Sequence, residues 1–207
     1  MSAPAPDPER ERLLDCAMAL IEERGALTLS ALADRAGMGQ ATLARWFADE
    51  EALIEALVER WFVPLIRIMD EVMAADLTPR RRMYEFFARR FEHNAARYRA
   101  DPVAFASYEE LGERHFHHVQ GYIDLADHYL SEIIGEAMGE GHFAGLEIDR
   151  ALSLVNQMVS AYLNTGMFKN ILGRLSEDKL AMIVDAMFDG LSAEDRGAKS
   201  VKGLRAA

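Results

Sequence analysis

Apolar residues recur every three to four positions through almost the whole chain, and no stretch alternates apolar with polar as a half-buried strand does. That period restricts the 207 residues to helices. Their starts are marked by side chains that can accept from free N–H groups, three of them followed by proline, whose missing N–H costs nothing in a first turn. These are Asp7-Pro8, Thr78-Pro79 and Asp101-Pro102. The pattern predicts an all-α fold of about nine helices. The first runs from Pro8 with the stripe Leu13, Leu14, Ala17, Leu20 and Ile21, and Gly25 ends it. Short helices follow after Thr28 (to Ala36) and over 40–47. Asp49 caps a long helix, 50–74, in which Pro64 predicts a kink or short break. Further helices are expected near 79–98, 102–112, 114–138, 147–171 and, capped by Ser176, 177–190. Gly139-Glu140-Gly141 and Gly145 mark a loop. Residues 1–6 read as a short disordered leader and 192–207 as a flexible tail.

Half of the residues are hydrophobic and 28% are charged, which is ample for a core, and charge interrupts every apolar run before 18 residues. No membrane association is expected. The N-terminus lacks the charged start and apolar run of a secretion signal, and the single cysteine, Cys16, excludes an internal disulfide framework and a multi-thiolate metal site. A cytoplasmic location follows as the expectation. The balance of 23 Lys+Arg against 34 Asp+Glu, net −11, argues against a protein that coats nucleic acid non-specifically. A specific binder needs only a local cluster of contacts.

The segment Leu29–Ala48 meets three demands of a helix-turn-helix in register. Ala33 is small where a second helix must pack closely, Gly37 tolerates positive φ in the turn, and Leu43 returns an apolar side chain to the core. Trp46 and Phe47 extend that face. Two short helices of an unrelated bundle would share the bare pattern. The run from Leu29 through Ala33, Ala36-Gly37, Thr42-Leu43 and Phe47 to Leu53 also resembles the DNA-binding signature of the tetracycline-repressor (TetR/AcrR) family, over roughly residues 8–60. The Phe188-Asp189-Gly190-Leu191 ending is similar to that of many members.

The resemblance implies a homodimeric regulator: a helix-turn-helix domain at 1–49, a ligand-binding and dimerisation domain at 50–191, and helix 50–74 as connector. Residues implied at DNA are Thr28, Gln40, Ala41, Thr42, Arg45 and Trp46. Gln pairs with adenine, Arg with guanine, and a Thr or Ala methyl meets a thymine methyl. Two departures weaken the match: Ala44 stands where the family usually has tyrosine, and Glu50 where it usually has lysine. Residues 1–50 carry five arginines against nine carboxylates, so contacts to the phosphate backbone should be few.

An effector cavity is implied among the helices of 79–171. The expected lining is Phe86, Phe87, Arg90, Phe105, Tyr108, Phe116, His118, Tyr122, Met158 and Tyr162. Most such side chains fill core in any bundle. Buried tyrosine hydroxyls need partners, so Tyr108, Tyr122 and Tyr162 are the expected polar handles of a pocket for a small apolar or aromatic effector. Seven arginines against two glutamates at 79–99 read first as a solvated, ion-paired face; the sharper reading has Arg89 or Arg90 meeting an anionic headgroup. His115, His117 and His118 raise the question of a metal, but they sit where a helix begins, without an obvious spaced carboxylate, and no metal is expected.

The last two predicted helices carry more apolar surface than one stripe needs. Val155, Val159, Ile183, Val184, Met187 and Phe188 are therefore expected in a two-fold interface, burying above roughly 2,000 Å² in total. No G-x-S-x-G elbow, phosphate loop, dinucleotide fingerprint or H-E-x-x-H pair is present, so neither catalytic residues nor a cofactor are assigned. The expected activity is ligand-responsive transcriptional regulation, by a repressor on a palindromic operator in double-stranded DNA. The alternative is a dimeric ligand-binding protein on the same fold with weakened or lost DNA binding.

Overall fold

A computed structural model describes residues 7–24 and 27–193, the side chain of Arg24 excepted. The expected leader, the helix stop at Gly25 and the tail beyond Ala193 lie outside the described residues. Within them the chain is helical without a strand: α1 Pro8–Arg24, α2 Leu29–Ala36, α3 Gln40–Leu43, α4 Glu50–Ala74, α5 Pro79–Ala100, α6 Pro102–Arg114, α7 Phe116–Gly139, α8 Ile148–Met158, α9 Ser160–Leu163, α10 Phe168–Ile171 and α11 Glu177–Ser192.

The caps behave as their chemistry dictates. Asp7 Oδ1 accepts from Glu9 N (2.9 Å), Thr28 Oγ1 from Ala31 N (3.1 Å) and Asp49 Oδ1 from Ala52 N (2.8 Å). Asp101 Oδ1 takes Val103 N and Ala104 N (3.0 and 2.9 Å), and Ser176 Oγ takes Lys179 N (3.3 Å). Each satisfies a donor that the first turn leaves free.

One expectation about helix breaks is narrowed and another is corrected. Helix α4 runs through Pro64 without a break. Proline deletes one hydrogen bond, and the long apolar face on either side (Leu53, Leu57, Trp61, then Leu65, Met69, Val72, all buried) outweighs that loss. The single helix expected over 147–171 is instead three short helices joined by irregular turns, with a 3-10 turn at Thr165–Met167 and another following at Leu172–Arg174. Val159 (φ −100°, ψ 6°) and Asn164 (φ −82°, ψ 85°) leave the helical path, in a stretch where Asn164, Thr165 and Gly166 are all weak helix formers. The break has a packing return. Tyr162 and Phe168, six residues apart and on different faces of a regular helix, both set an edge on Phe91, at 5.0 and 6.0 Å between ring centroids.

The chain divides into two compact units, Met1–Pro64 with Arg99–Tyr122, and Leu65–Tyr98 with Ile123–Ala207. The core of the first gathers Leu13, Leu14 and Ala17 of α1, Leu32 and Ala33 of α2, Leu43, Phe47 and α4 residues Leu53 and Leu57. The second has its own buried set, including Phe86, Phe87, Leu130, Ile133, Val155, Val184 and Phe188. No helix of the described residues is long and apolar enough to cross a membrane.

Candidate nucleic-acid interface

The three demands of the helix-turn-helix are met in three dimensions. Ala33 is 2% exposed and Leu43 1%. Gly37 closes α2 in the left-handed region (φ 67°, ψ 32°), a conformation that a Cβ would strain. In this Schellman-type stop the N–H of Met38 bonds the Ala33 carbonyl at 3.0 Å and that of Gly37 the Asp34 carbonyl at 3.3 Å. Helix α3 is shorter than the 40–47 expected, because its hydrogen bonds tighten. Arg45 N and Trp46 N reach back three residues, to Thr42 O (3.2 Å) and Leu43 O (2.9 Å), before Phe47 N returns to Leu43 O at 3.1 Å. The tighter turn seats Phe47 in the core (1% exposed) and leaves Trp46 half-buried.

The opposite face is open. Gln40, Ala41, Thr42, Ala44 and Arg45 are all exposed, as is Thr28, whose hydroxyl caps α2. In this unit Arg10 pairs with Glu59 (3.2 Å), Arg12 with Glu9 (2.7 Å), Arg35 with Glu23 (2.6 Å) and Arg60 with Asp15 (2.8 Å). Among the described side chains Arg45 makes no such pair. The presented surface thus offers one amide, one hydroxyl, two methyl-sized side chains and one free guanidinium, which is the vocabulary of base-edge contact in a major groove. Glu50 is exposed, and its Oε1 accepts from Leu29 N at 3.4 Å, so a carboxylate already occupies the start of α2.

The residues expected around an effector fall into two groups. In the first unit Tyr108 lies on Trp61 (centroids 4.4 Å) beside Phe105 (5.0 Å), and Tyr122 stacks on Phe62 at 4.1 Å. Phe116 is exposed, and His118 is drawn to Glu51. In the second, Phe86 and Phe87 are buried and meet edge to face at 5.4 Å, Arg90 lies over the Phe86 ring at 4.8 Å, and Met158 is exposed.

The tyrosine handles are not free. Tyr162 Oη donates to Ser176 O (3.0 Å), and Arg60 Nη2 donates to Tyr108 Oη (2.9 Å). Buried polar atoms lacking a partner are instead His93 Nε2, Asn94 Oδ1 and Arg82 Nε, all in the second unit. Burial, with the charges of Arg97 and Arg67, holds His93 below the usual imidazole range, which favours its neutral form. Asn94 stands in register with Met83, Phe87 and Phe91 along α5, a polar residue where the period asks for an apolar one. That signal was available in the sequence, whereas burial of His93 had none.

The arginines of α5 follow the ion-paired reading. Arg80 binds Asp185 (3.2 Å) and Asp189 (2.7 Å), Arg81 binds Glu85, Arg82 binds Glu136 and Arg89 binds Glu71. Arg89 is therefore engaged rather than aimed at an anionic headgroup.

The residues expected at an interface differ in their exposure. Val155, Val159, Val184, Met187 and Phe188 are at most 2% exposed within the single chain, and Ile183 is half-buried. The surplus apolar surface was consumed by the breaks after Met158, which fold α9 and α10 back into the same core. What the helices leave outward is Ile148, Met158 and Met182, the last 70% exposed.

Two family models match the chain: "Bacterial regulatory proteins, tetR family" over residues 13–57, and "Tetracyclin repressor-like, C-terminal domain" over residues 79–184. No curated protein matches it. Among solved structures it is similar to the TetR family transcriptional regulator PfmR from Thermus thermophilus (17% identity, 88% of this chain and 97% of that one, TM-score 0.61). It is also similar to the fatty acid degradation regulator FadR from Bacillus halodurans (18%, 98% and 100%, 0.57). A third is the ketosteroid transcriptional regulator KstR2 of Mycobacterium tuberculosis (20%, 90% and 98%, 0.54). At these identities the likeness concerns the fold.

Proposed function

This chain belongs to the tetracycline-repressor family of bacterial transcriptional regulators, and from that premise we propose that it is a repressor. It binds a palindromic operator as a homodimer and is released by a small apolar or aromatic effector. The observation that carries the reading is the open face of α3 and the turn after it. Gln40, Ala41, Thr42 and Arg45 project outward from a segment held by Leu43 and Phe47, and Arg45 pairs with no carboxylate among the described residues. Thr28 and Trp46 flank that face. The DNA-binding domain is assigned to residues 1–49 and the ligand and dimerisation domain to 50–191.

The effector site is assigned to the second unit, against Phe86 and Phe87, with His93 and Asn94 as polar partners in place of Tyr108 and Tyr162. A neutral imidazole and an amide accept and donate without demanding a charge, which suits an uncharged ligand. The two-fold contact is assigned to the outward faces of α8 and α11, around Met158 and Met182.

The test is salt-dependent binding to DNA fragments from upstream of the chain's own coding region, by fluorescence anisotropy. A saturable site with two-fold symmetry is expected, its affinity falling steeply with salt. No specific site at low salt in any fragment would sink the repressor reading. A second reading, a dimeric ligand-binding protein that no longer binds DNA, is favoured by one observation. Glu50 holds the start of α2, where a phosphate would otherwise accept the same backbone N–H groups.

A further inference from the structure

Glu51, in the first turn of α4, sets one carboxylate oxygen between two imidazoles. Its Oε1 lies 2.7 Å from Nε2 of His117 and 2.7 Å from Nε2 of His118. All three belong to the first unit, and their ligand atoms lie within 4.8 Å of one another. Neighbouring residues on a helix point about 100° apart and do not ordinarily converge. Here the rings of His117 and His118 sit 4.1 Å apart, centroid to centroid, and present the same nitrogen to the same oxygen. The convergence is made by the tertiary fold: α4 supplies the carboxylate. His118 is largely covered, its side chain 15% exposed, whereas His117 (65%) and Glu51 (54%) are open to solvent.

We propose that Glu51, His117 and His118 form a binding site for a divalent transition-metal ion of the zinc class. Two imidazoles with a single carboxylate suit zinc, cobalt or nickel; magnesium and calcium prefer all-oxygen shells. Bonds of about 2.0–2.2 Å place the ligand atoms of a tetrahedral site roughly 3.3 Å apart. Each nitrogen–oxygen spacing needs to open by only about half an ångström beyond its hydrogen-bond length, with the two imidazole nitrogens brought to the same separation. His118 is the fixed ligand, His117 and Glu51 close on the ion, and water takes the remaining position on the exposed side. Three protein ligands with an open position make an exchangeable site, and its occupancy ties the first turn of α4 to the first turn of α7.

The molecule contains its own control. His128 and Glu132, four residues apart on α7, make an exposed pair at 3.4 Å with no second imidazole, the common form of a surface histidine–carboxylate contact. Tag-free full-length protein is titrated with Co2+ alone, following its visible ligand-field absorption, and then with Zn2+ to displace it. One saturable Co2+ per chain is expected, displaced by Zn2+, with a rise in melting temperature on loading. His117→Gln and Glu51→Gln should each weaken binding at least about tenfold and abolish the thermal shift, while His128→Gln leaves both unchanged. His118→Gln should do the same as the first two, and if it fails to fold the two exposed variants still decide. Absence of saturable binding below about 1 mM overturns the proposal. So does an affinity that His117→Gln and Glu51→Gln leave intact. Neither readout involves DNA or an effector, so the outcome is independent of the repressor reading.

Discussion

Helix α5 brings seven guanidinium groups to residues 79–99, while the segment from Gln40 to Phe47 brings one. Counted as charge, α5 is the obvious place for an anion. Counted as available charge, most of that excess disappears. Arg80, Arg81, Arg82 and Arg89 each end on a carboxylate, and Arg90 lies over an aromatic ring. Arg45 makes no ion pair among the described side chains. A paired guanidinium must surrender its carboxylate before it can meet a ligand, whereas a free one exchanges only water. In an acidic protein the scarce resource for binding DNA is therefore an unpaired cation, and the fold supplies one at the centre of its most exposed helix-turn-helix face.

The contrast can be broken from either side. Arg45→Ala should cost about 1–3 kcal/mol of operator affinity, measured by anisotropy, and leave the melting temperature unchanged. An equal loss of thermal stability would mean that Arg45 is structural after all. Arg82→Ala should do the reverse. Its Nη2 donates to the carbonyls of Ala75 (2.9 Å) and Leu77 (3.3 Å), and its side chain is 11% exposed, so urea unfolding should show a loss of about 1–2 kcal/mol. Arg81→Ala, at an exposed i,i+4 pair, should stay within about 0.5 kcal/mol.

Glu50→Lys sharpens the comparison by adding a second free cation beside the first. It should tighten operator binding by on the order of 1 kcal/mol and steepen the salt dependence by about one neutralised phosphate. An unchanged salt slope would place the start of α4 away from DNA.

The smallest effect concerns a pair of like charges. A hydrogen bond to Glu177, with partial burial and the Glu177 charge, raises the Glu92 carboxyl to about 7. A raised carboxyl stabilises the fold fully below its unfolded value, near 4.5, and that contribution is lost as pH climbs through about 7. Thermal melts between pH 5 and pH 8 should show the decline, and Glu92→Gln should flatten it. Solvent screening at this exposed position keeps the change modest.

What could be read from the sequence was whatever depends on neighbours in the chain. Thr28, Asp49, Asp101 and Ser176 cap the helices they were expected to cap, because a cap closes within three residues. Ala33, Gly37 and Leu43 could be placed for the same reason, since a helix-turn-helix is a short-range geometry. The breaks in 147–171 could not be, because they depend on Phe91 and on competition among distant faces for one core. With them went much of the apolar surplus counted on an unbroken helix, which lies in the chain's own interior. Glu51 lay 66 residues from His117, too far for any spacing rule to join them.

The grip of Arg82 has a consequence for how this chain tolerates change in length. Links between helices usually accept inserted residues, since their backbone is solvated and their path is loosely held. The link from Ala75 to Thr78 is different, because Arg82 on α5 holds the carbonyls of Ala75 and Leu77 while Thr78 Oγ1 accepts from Arg81 N at 3.4 Å. One added residue there would carry at least one carbonyl out of reach of a side chain that has no slack. Length variation in this molecule is expected to be excluded from that link.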